Sequence, residues 1–394
     1  MSVFSELELL PPDPILSIPP IFAADVRKSK INLGVGAYRD ASGRPWVLSS
    51  VRKAEKVLSE KQLDKEYLPI DGDKNYRLRS FELIFGEGSP HLERAYIAQT
   101  VGGTGALSVG GTFLKRAKPE SGLYLSRPTW GNHRGIFSRC GYKIGGYDYY
   151  HDYRFDFERM MDSLKDIEPE SVIVLHGCCH NPTGCDPEPE QWKEMSAMIK
   201  DKKIFPFFDL AYQGFGDDLE SDALAIRIFA NDGHEMAVAA SHSKNFGLYG
   251  ERAGHLTILA ASPGELPGIA SHVKAVIRSL YSSPPAHGAR IVAAILESKE
   301  LAAEWKEELA GMQNRIFDMR GALAGELSAL GSPVDFSFIK NQKGLFTLLG
   351  ISQQQVQSLK DEQGLYMLPS GRINLAGLNE GNIKTAAKAI RSIL

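Results

Sequence analysis

Lys244 stands in the stretch SHSKNFGLYGER, residues 241–252, directly after the apolar run EMAVAA and eight places before Arg252. Surface lysines usually sit on helices beside glutamates. This one leaves a strand-like run among serines, an asparagine and small or aromatic residues, so its amine is placed for a cleft and for covalent chemistry. Two other chemistries fit less well. Ser241-His242-Ser243-Lys244 satisfies S-x-x-K, the acyl-enzyme signature of penicillin-binding proteins, but the S-D-N and K-T-G partners do not occur. His176, Cys178, Cys179 and His180 in HGCCHNPTG are zinc-ligand types. Neighbouring cysteines rarely both turn to one ion and the sequence offers no second ligand cluster. The run reads instead as a strand end turning at NPTG, and no metal is expected.

The glycine-rich piece TVGGTGALSVGG, residues 100–111, reads as a turn opening a helix, with Gly102, Gly103 and Gly105 exposing backbone donors. Free amides at a helix N-terminus suit a phosphate. Neither G-x-G-x-x-G nor G-x-x-x-x-G-K-[ST] is present, so both nucleotide-binding fingerprints fail. Polar residues also recur where apolar runs end: Asn181 after SVIVLHG, Asp209 and Tyr212 in and after IFPFFDL, Ser241 and Lys244 after EMAVAA. A carboxylate or an ammonium there is costly to desolvate alone. One aromatic cation between them serves both. Pyridoxal 5′-phosphate has that form: its ring nitrogen can carry a proton, its aldehyde condenses with an amine, and its phosphate takes amides, hydroxyls and an arginine. Lys244 would hold the aldehyde, and Ser241 and Arg252 the phosphate.

The elements that must position these groups are legible in outline. The runs 171–177, 204–210 and 235–243 lack polar alternation, as strands covered on both faces do. Helical stripes lie between and before them: Trp192, Met195 and Ile199 near 190–202, and Phe157, Met160, Met161, Leu164 and Ile167. Strands alternating with helices predict an α/β fold with a mainly parallel sheet flanked by helices, binding ligands beyond the strands' carboxyl ends. From 301 to 330, Trp305, Leu309, Met312, Ile316, Met319, Leu323 and Leu327 predict one long rod leading into a smaller unit. There the strand GLFTLLG, a helix near 352–362, a hairpin-like YMLPSGRINLAG and a final helix follow. The first 20 residues hold five of the 21 prolines and predict an extended arm able to reach a second subunit.

Composition excludes several classes. With 394 residues the chain should form two or three packing units. A net charge of −3 with no lysine–arginine block gives no support for nucleic-acid or anionic-membrane binding. No apolar run reaches the ~18–20 residues that span a bilayer. No secretory signal is read at the N-terminus, and four cysteines are too few for a disulfide scaffold, so a cytoplasmic setting is expected.

At this point SHSKNFGLYGERAGH, HGCCHNPTGCDP, FFDLAYQGF, QTVGGTGAL and YSSPPAHGA, with INLGVGAY, YLPIDG and SGRINLAG, resemble the aspartate aminotransferase family of class I pyridoxal-phosphate enzymes, in order, from about residue 13 to 394. The resemblance implies the fold-type I architecture. Residues 1–45 would form an arm and part of a small α/β domain, 46–310 a large cofactor domain and 311–394 the rest of the small one. It implies a homodimer with shared active sites. Lys244 looks like the cofactor-bound lysine and proton carrier. Asp209 looks like the partner of the pyridine nitrogen, with His133 behind it. Tyr212 and Asn181 would bond the ring oxygen, and Trp130 would stack on the ring. Gly103, Thr104, Ser241 and Arg252 would hold the phosphate, joined by Tyr67 of the second subunit. Arg372 would grip the substrate α-carboxylate beside Gly36. Arg278 of the second subunit would reach the distal carboxylate.

The implied reaction moves the amino group of L-aspartate to 2-oxoglutarate, in two alternating halves. Ser283 and Gly250 depart from the pattern, since many aspartate-preferring members carry asparagine at both. Aromatic-preferring relatives resemble this chain there, so tyrosine and phenylalanine are alternative donors. Decarboxylases and lyases of the same fold share the lysine–aspartate pair but need no distal-carboxylate arginine. A binding protein that lost catalysis would not keep Lys244, Asp209 and Arg372 together.

Overall fold

The computed structural model describes residues 2–394. The three apolar runs become Val172–His176, Phe205–Leu210 and Met236–Ser241, adjacent parallel strands at the centre of a seven-stranded sheet. The spatial order is Ala95–Val101, Ala253–Leu259, Met236–Ser241, Phe205–Leu210, Val172–His176, Leu123–Arg127, Ile144–Asp148. Ala253–Leu259 runs antiparallel to both its neighbours, and the other pairs are parallel. The sequence reading found the central three strands and left the flanking four unread.

Both faces are covered, which is why the central strands lack polar alternation. Phe207, Val174, Ala237, Ala239 and Leu256 face one apolar layer. Phe208, Leu175, Val238 and Ala240 face the other. Side chains one residue apart on a strand point to opposite faces, so consecutive apolar residues divide between the two layers. The helix Pro189–Asp201 buries Trp192, Met195 and Ile199, the stripe read from the sequence. Glu188 N–H donates to the Gln191 side chain at 2.8 Å and satisfies an end group.

The rod is a 31-residue helix, Lys299–Ala329, started by the Ser298 hydroxyl accepting from Leu301 N–H at 3.2 Å. It also buries Arg320, whose guanidinium donates to the carbonyls of Lys343, Gly344 and Phe346 at 2.9, 2.6 and 2.8 Å. Burial lowers that guanidinium to about 10, still a cation at neutral pH. A charge pattern in sequence gives no sign of such a buried arginine, because its partners are backbone oxygens.

Two expectations need correction. YMLPSGRINLAG is not a hairpin: Leu365–Tyr366 pairs parallel with Ile31–Asn32, and Arg372–Asn374 pairs antiparallel with Phe346–Leu348. Turn residues marked the reversal correctly, but each strand found a partner from a distant segment. The arm is also shorter than 20 residues, because Ile18–Ala24 is helical with its prolines in the first turn, where a missing N–H costs nothing. Among the described residues no helix is long and apolar enough to cross a membrane.

Candidate active site

Strand ends build one cleft. In the parallel strands His176 lies opposite Asp209, and Asp209 opposite Ala239, so the carboxyl ends come level. The loops beyond them carry Asn181, Tyr212 and Lys244. The helix Gly102–Ala117 begins at the same edge, since its strand also ends there. The reversed strand then matters: because Ala253–Leu259 runs the other way, its first residues, not its last, meet that edge. Arg252 therefore arrives beside Gly102, whose N–H donates to the Arg252 carbonyl at 2.9 Å.

The cleft has a volume of about 450 Å³, ordinary for a small-molecule site. Its wall includes Gly36, Gly103, Thr104, Trp130, Asn181, Asp209, Tyr212, Ser241, Lys244, Arg252 and Arg372. All were singled out from the sequence. Tyr67 and Arg278 are not on that wall. Tyr67 is 90% exposed. Arg278 is exposed at the end of the helix Leu266–Leu280, donating to the Ser282 hydroxyl.

Electrostatics organise the floor. Burial would raise the Asp209 carboxyl, but a 3.0 Å hydrogen bond with His133 Nε2, helped by the attraction of Lys244, outweighs it and holds it below the usual range. His133 Nδ1 is tied to the Thr129 hydroxyl at 2.8 Å, which fixes the ring. Behind it lies His176, 5.3 Å away between ring centres, with neither nitrogen partnered. Burial lowers His176 to about 3, so it stays neutral. The Lys244 amine lies 4.8 Å from the Tyr212 ring centre. Burial lowers that amine to about 8, against the attraction of Asp209.

Two further features would receive anions. Ser241 and Ser243 hydroxyls are 3.1 Å apart, and Arg252 Nη1 lies 3.5 Å from Ser243. Glycines keep this corner open: a Cβ on Gly103 would meet Ser241 Cβ at 3.1 Å, and one on Gly102 would stand 2.7 Å from Arg252 Nη2. Hydroxyls, a guanidinium and the amides of a helix start make a phosphate cradle without a metal. Across the cleft, Arg372 lies over the Phe346 ring at 4.0 Å and donates to Asn181 Oδ1 at 3.1 Å and Gly34 O at 3.0 Å. Its buried Nε has no partner, so the fork has capacity left for a carboxylate. Burial lowers Arg372 to about 10.

An acidic floor beside a low-pKa amine, an anion cradle and a second, separate guanidinium fit pyridoxal phosphate together with an amino acid. The histidine–cysteine run does not converge on one point. His176 gathers with His133 and Asp209, while Cys178 and Cys179 turn to Asp222. Ser243, Tyr249 and Phe346 line the cleft and were missed. Ser243 was within reach, two places from Ser241 in the same motif. Phe346 sits in a plain apolar strand and gave no signal.

A family model described as "Aminotransferase class I and II" matches residues 28–390. The mitochondrial aspartate aminotransferase of Xenopus tropicalis is 45% identical over all of this chain and 93% of its own. The aspartate aminotransferase of Pseudomonas aeruginosa is 44% identical over the whole of both. Among solved structures, the aromatic-amino-acid aminotransferase of Burkholderia pseudomallei, covalently bound to pyridoxal phosphate, superposes with a TM-score of 0.97 at 44% identity over both full chains. A fold shared along the whole chain and 44–45% identity over its full length leave one conclusion: the chain belongs to the class I and II aminotransferase family.

Proposed function

We propose that the chain transfers the amino group of L-aspartate to 2-oxoglutarate, giving oxaloacetate and L-glutamate, with pyridoxal 5′-phosphate attached to Lys244. The observation that carries this is the Lys244 amine, lowered to about 8, facing the Asp209 carboxylate between an anion cradle and Arg372. The cofactor supplies an aldehyde that condenses with amines and a protonated ring that accepts electrons. The chain does the rest. Asp209, itself held by His133, would keep the ring nitrogen protonated. Trp130 would stack against the cofactor ring, and Tyr212 and Asn181 would hydrogen-bond its oxygen; all three line the cleft. Gly103, Thr104, Ser241 and Arg252 would hold the phosphate, joined by Tyr67 from a second copy. Arg372 takes the α-carboxylate beside Gly36. Lys244 Nζ would be the base that takes and carries the proton from the substrate Cα. Arg278 from the second copy selects a distal carboxylate.

The reading includes a homodimer, a cytoplasmic setting, and domains at 1–45, 46–310 and 311–394. The pairing of Ile31–Asn32 with Leu365–Tyr366 supports joining the two chain ends. Four free cysteines suit a reducing compartment. Aromatic donors are a second reading, favoured by Ser283, Gly250 and the likeness to the Burkholderia enzyme.

Borohydride reduction of the loaded protein followed by peptide mapping tests the core claim: the pyridoxyl label falls on Lys244, and a label elsewhere or none refutes it. Lys244→Ala should lose the label and at least the ~10²–10⁴-fold that acid–base catalysis contributes. Catalytic efficiencies with aspartate and tyrosine then separate the two donor readings.

A further inference from the structure

Tyr153 forms the tip of a tight hairpin. Tyr150–His151 pairs antiparallel with Arg154–Phe155, and the two residues between them, Asp152 and Tyr153, both have left-handed backbone, φ 47° and 63°. Such two-residue turns favour Asn-Gly, and a bulky side chain at positive φ is held against its preference. Tertiary contacts account for it. The Tyr153 ring stacks on Phe338, centroids 4.5 Å apart and planes at 25°. Its edge lies flat on Gly350, where an added Cβ would stand 2.5 Å from the tyrosine hydroxyl. Gly350 is also left-handed, φ 69°.

Both sides of this contact lead to Arg372. One step beyond Gly350, Leu349 N–H donates to Gly371 O at 3.1 Å, and Leu348 pairs with Arg372 itself. On the other side, the Tyr149 hydroxyl donates to Cys185 O at 2.8 Å and its ring stacks on His180 at 3.9 Å. The Cys185 thiol donates to Tyr153 O at 3.9 Å. The loop between His180 and Cys185 carries Asn181, which accepts the 3.1 Å bond from Arg372. The hairpin thus spans the two segments whose separation sets the Arg372–Asn181 contact.

We propose that Tyr153 is a positioning residue for Arg372: its stack on Phe338 and its seat on Gly350 fix the strand bearing Arg372 against the loop bearing Asn181, and so set the affinity for the substrate α-carboxylate. This rests on the reading of Arg372 given above. The test uses the loaded enzyme and Tyr153→Asn, which tolerates the backbone and removes the ring. KM should rise about tenfold, inside the ~10²-fold that an ångström of misplacement can cost. The factor should be the same for aspartate and phenylalanine, because both carry the α-carboxylate. The kcat should hold within about twofold, the pattern of a lost binding contact. The Kd of maleate, read from the cofactor absorbance without turnover, should rise in parallel. Tyr153→Phe, which keeps the stack, should restore wild-type values. Gly350→Ala, which displaces the ring while keeping it, should reproduce the Tyr153→Asn pattern even if that variant does not fold. Unchanged KM and maleate Kd in Tyr153→Asn or Gly350→Ala, or a fall confined to kcat, overturn the proposal. Arg372→Leu separates the two levels: unchanged maleate affinity there would bring down the reading of Arg372 itself.

Discussion

Burial lowers the Lys244 amine to about 8; Asp209 pulls it back up, and Arg252 and Arg372 push it down again. Only the neutral amine attacks an aldehyde, so cofactor uptake by the cofactor-free protein should accelerate with pH and reach half its maximum near 8, not near the ordinary lysine value of 10.5. The same shift has a stability consequence. Between these values the unfolded chain keeps a proton that the folded one releases, so the cofactor-free protein gains stability as pH rises from about 8 towards 10.5. Asp209 is the favourable charge in the set, and Asp209→Ala should move the uptake midpoint to lower pH. Stopped-flow absorbance against pH measures both proteins, and a midpoint that stays or rises in the variant contradicts the pairing. At this scale the sequence was most readable. A carboxylate and an amine at the ends of apolar runs are unusual enough to demand each other.

Among elements, the reversed strand has the largest consequence for the site. Were Ala253–Leu259 parallel to its neighbours, Arg252 would lie at the far edge of the sheet. The close approach that the reversal creates requires glycine on both sides. A Cβ on Gly254 would collide with Gly102 and stand 2.8 Å from Ala240 O, both backbone and unable to yield. Gly102, at φ 65°, would meet the movable end of Arg252 instead. The two substitutions should therefore differ. Gly254→Ala should cost ~1–3 kcal/mol of stability, the scale of overpacking, as well as cofactor affinity. Gly102→Ala should cost about 1–2 kcal/mol through its left-handed backbone, and should weaken the cofactor more than Gly254→Ala does, by turning Arg252 aside. Thermal denaturation without cofactor and cofactor titration measure the two effects; a loss of cofactor affinity in Gly102→Ala no greater than in Gly254→Ala would refute the distinction. The phosphate site at Gly102 and Arg252 was legible in the sequence, but the reversal was not, because it is a fact of strand pairing, and nothing marked Gly254.

The whole molecule leaves two assigned groups outside its own cleft, the 90% exposed Tyr67 and the exposed Arg278. It also leaves the arm bare: Leu7, Leu9 and Leu10 are 74%, 100% and 81% exposed. Apolar side chains at that exposure in one segment mark an interaction surface. If each cleft takes Arg278 from the other copy, two defective chains can repair each other. A random mixture of Lys244→Ala and Arg278→Leu subunits should recover about a quarter of the wild-type aspartate activity, since half the dimers are mixed and each mixed dimer keeps one intact site. Subunits mixed after denaturation and refolding give the measurement. No recovery above the separate variants would mean that both residues act within one chain or that no dimer forms.

The sequence alone determined the chemistry. Residue types at the ends of apolar runs, the glycine turn and the 3.6-residue stripes are local signals, and local preference and burial pattern are what a sequence writes directly. It also gave the helix rod and the mainly parallel α/β sheet. The tertiary structure decided what depends on pairing between distant segments: the reversed strand that delivers Arg252, the separate partners of Leu365–Tyr366 and Arg372–Asn374, and the burial of Arg320 among carbonyls. Backbone hydrogen bonding is nearly blind to side-chain identity, so such pairings leave little trace in the residues that make them.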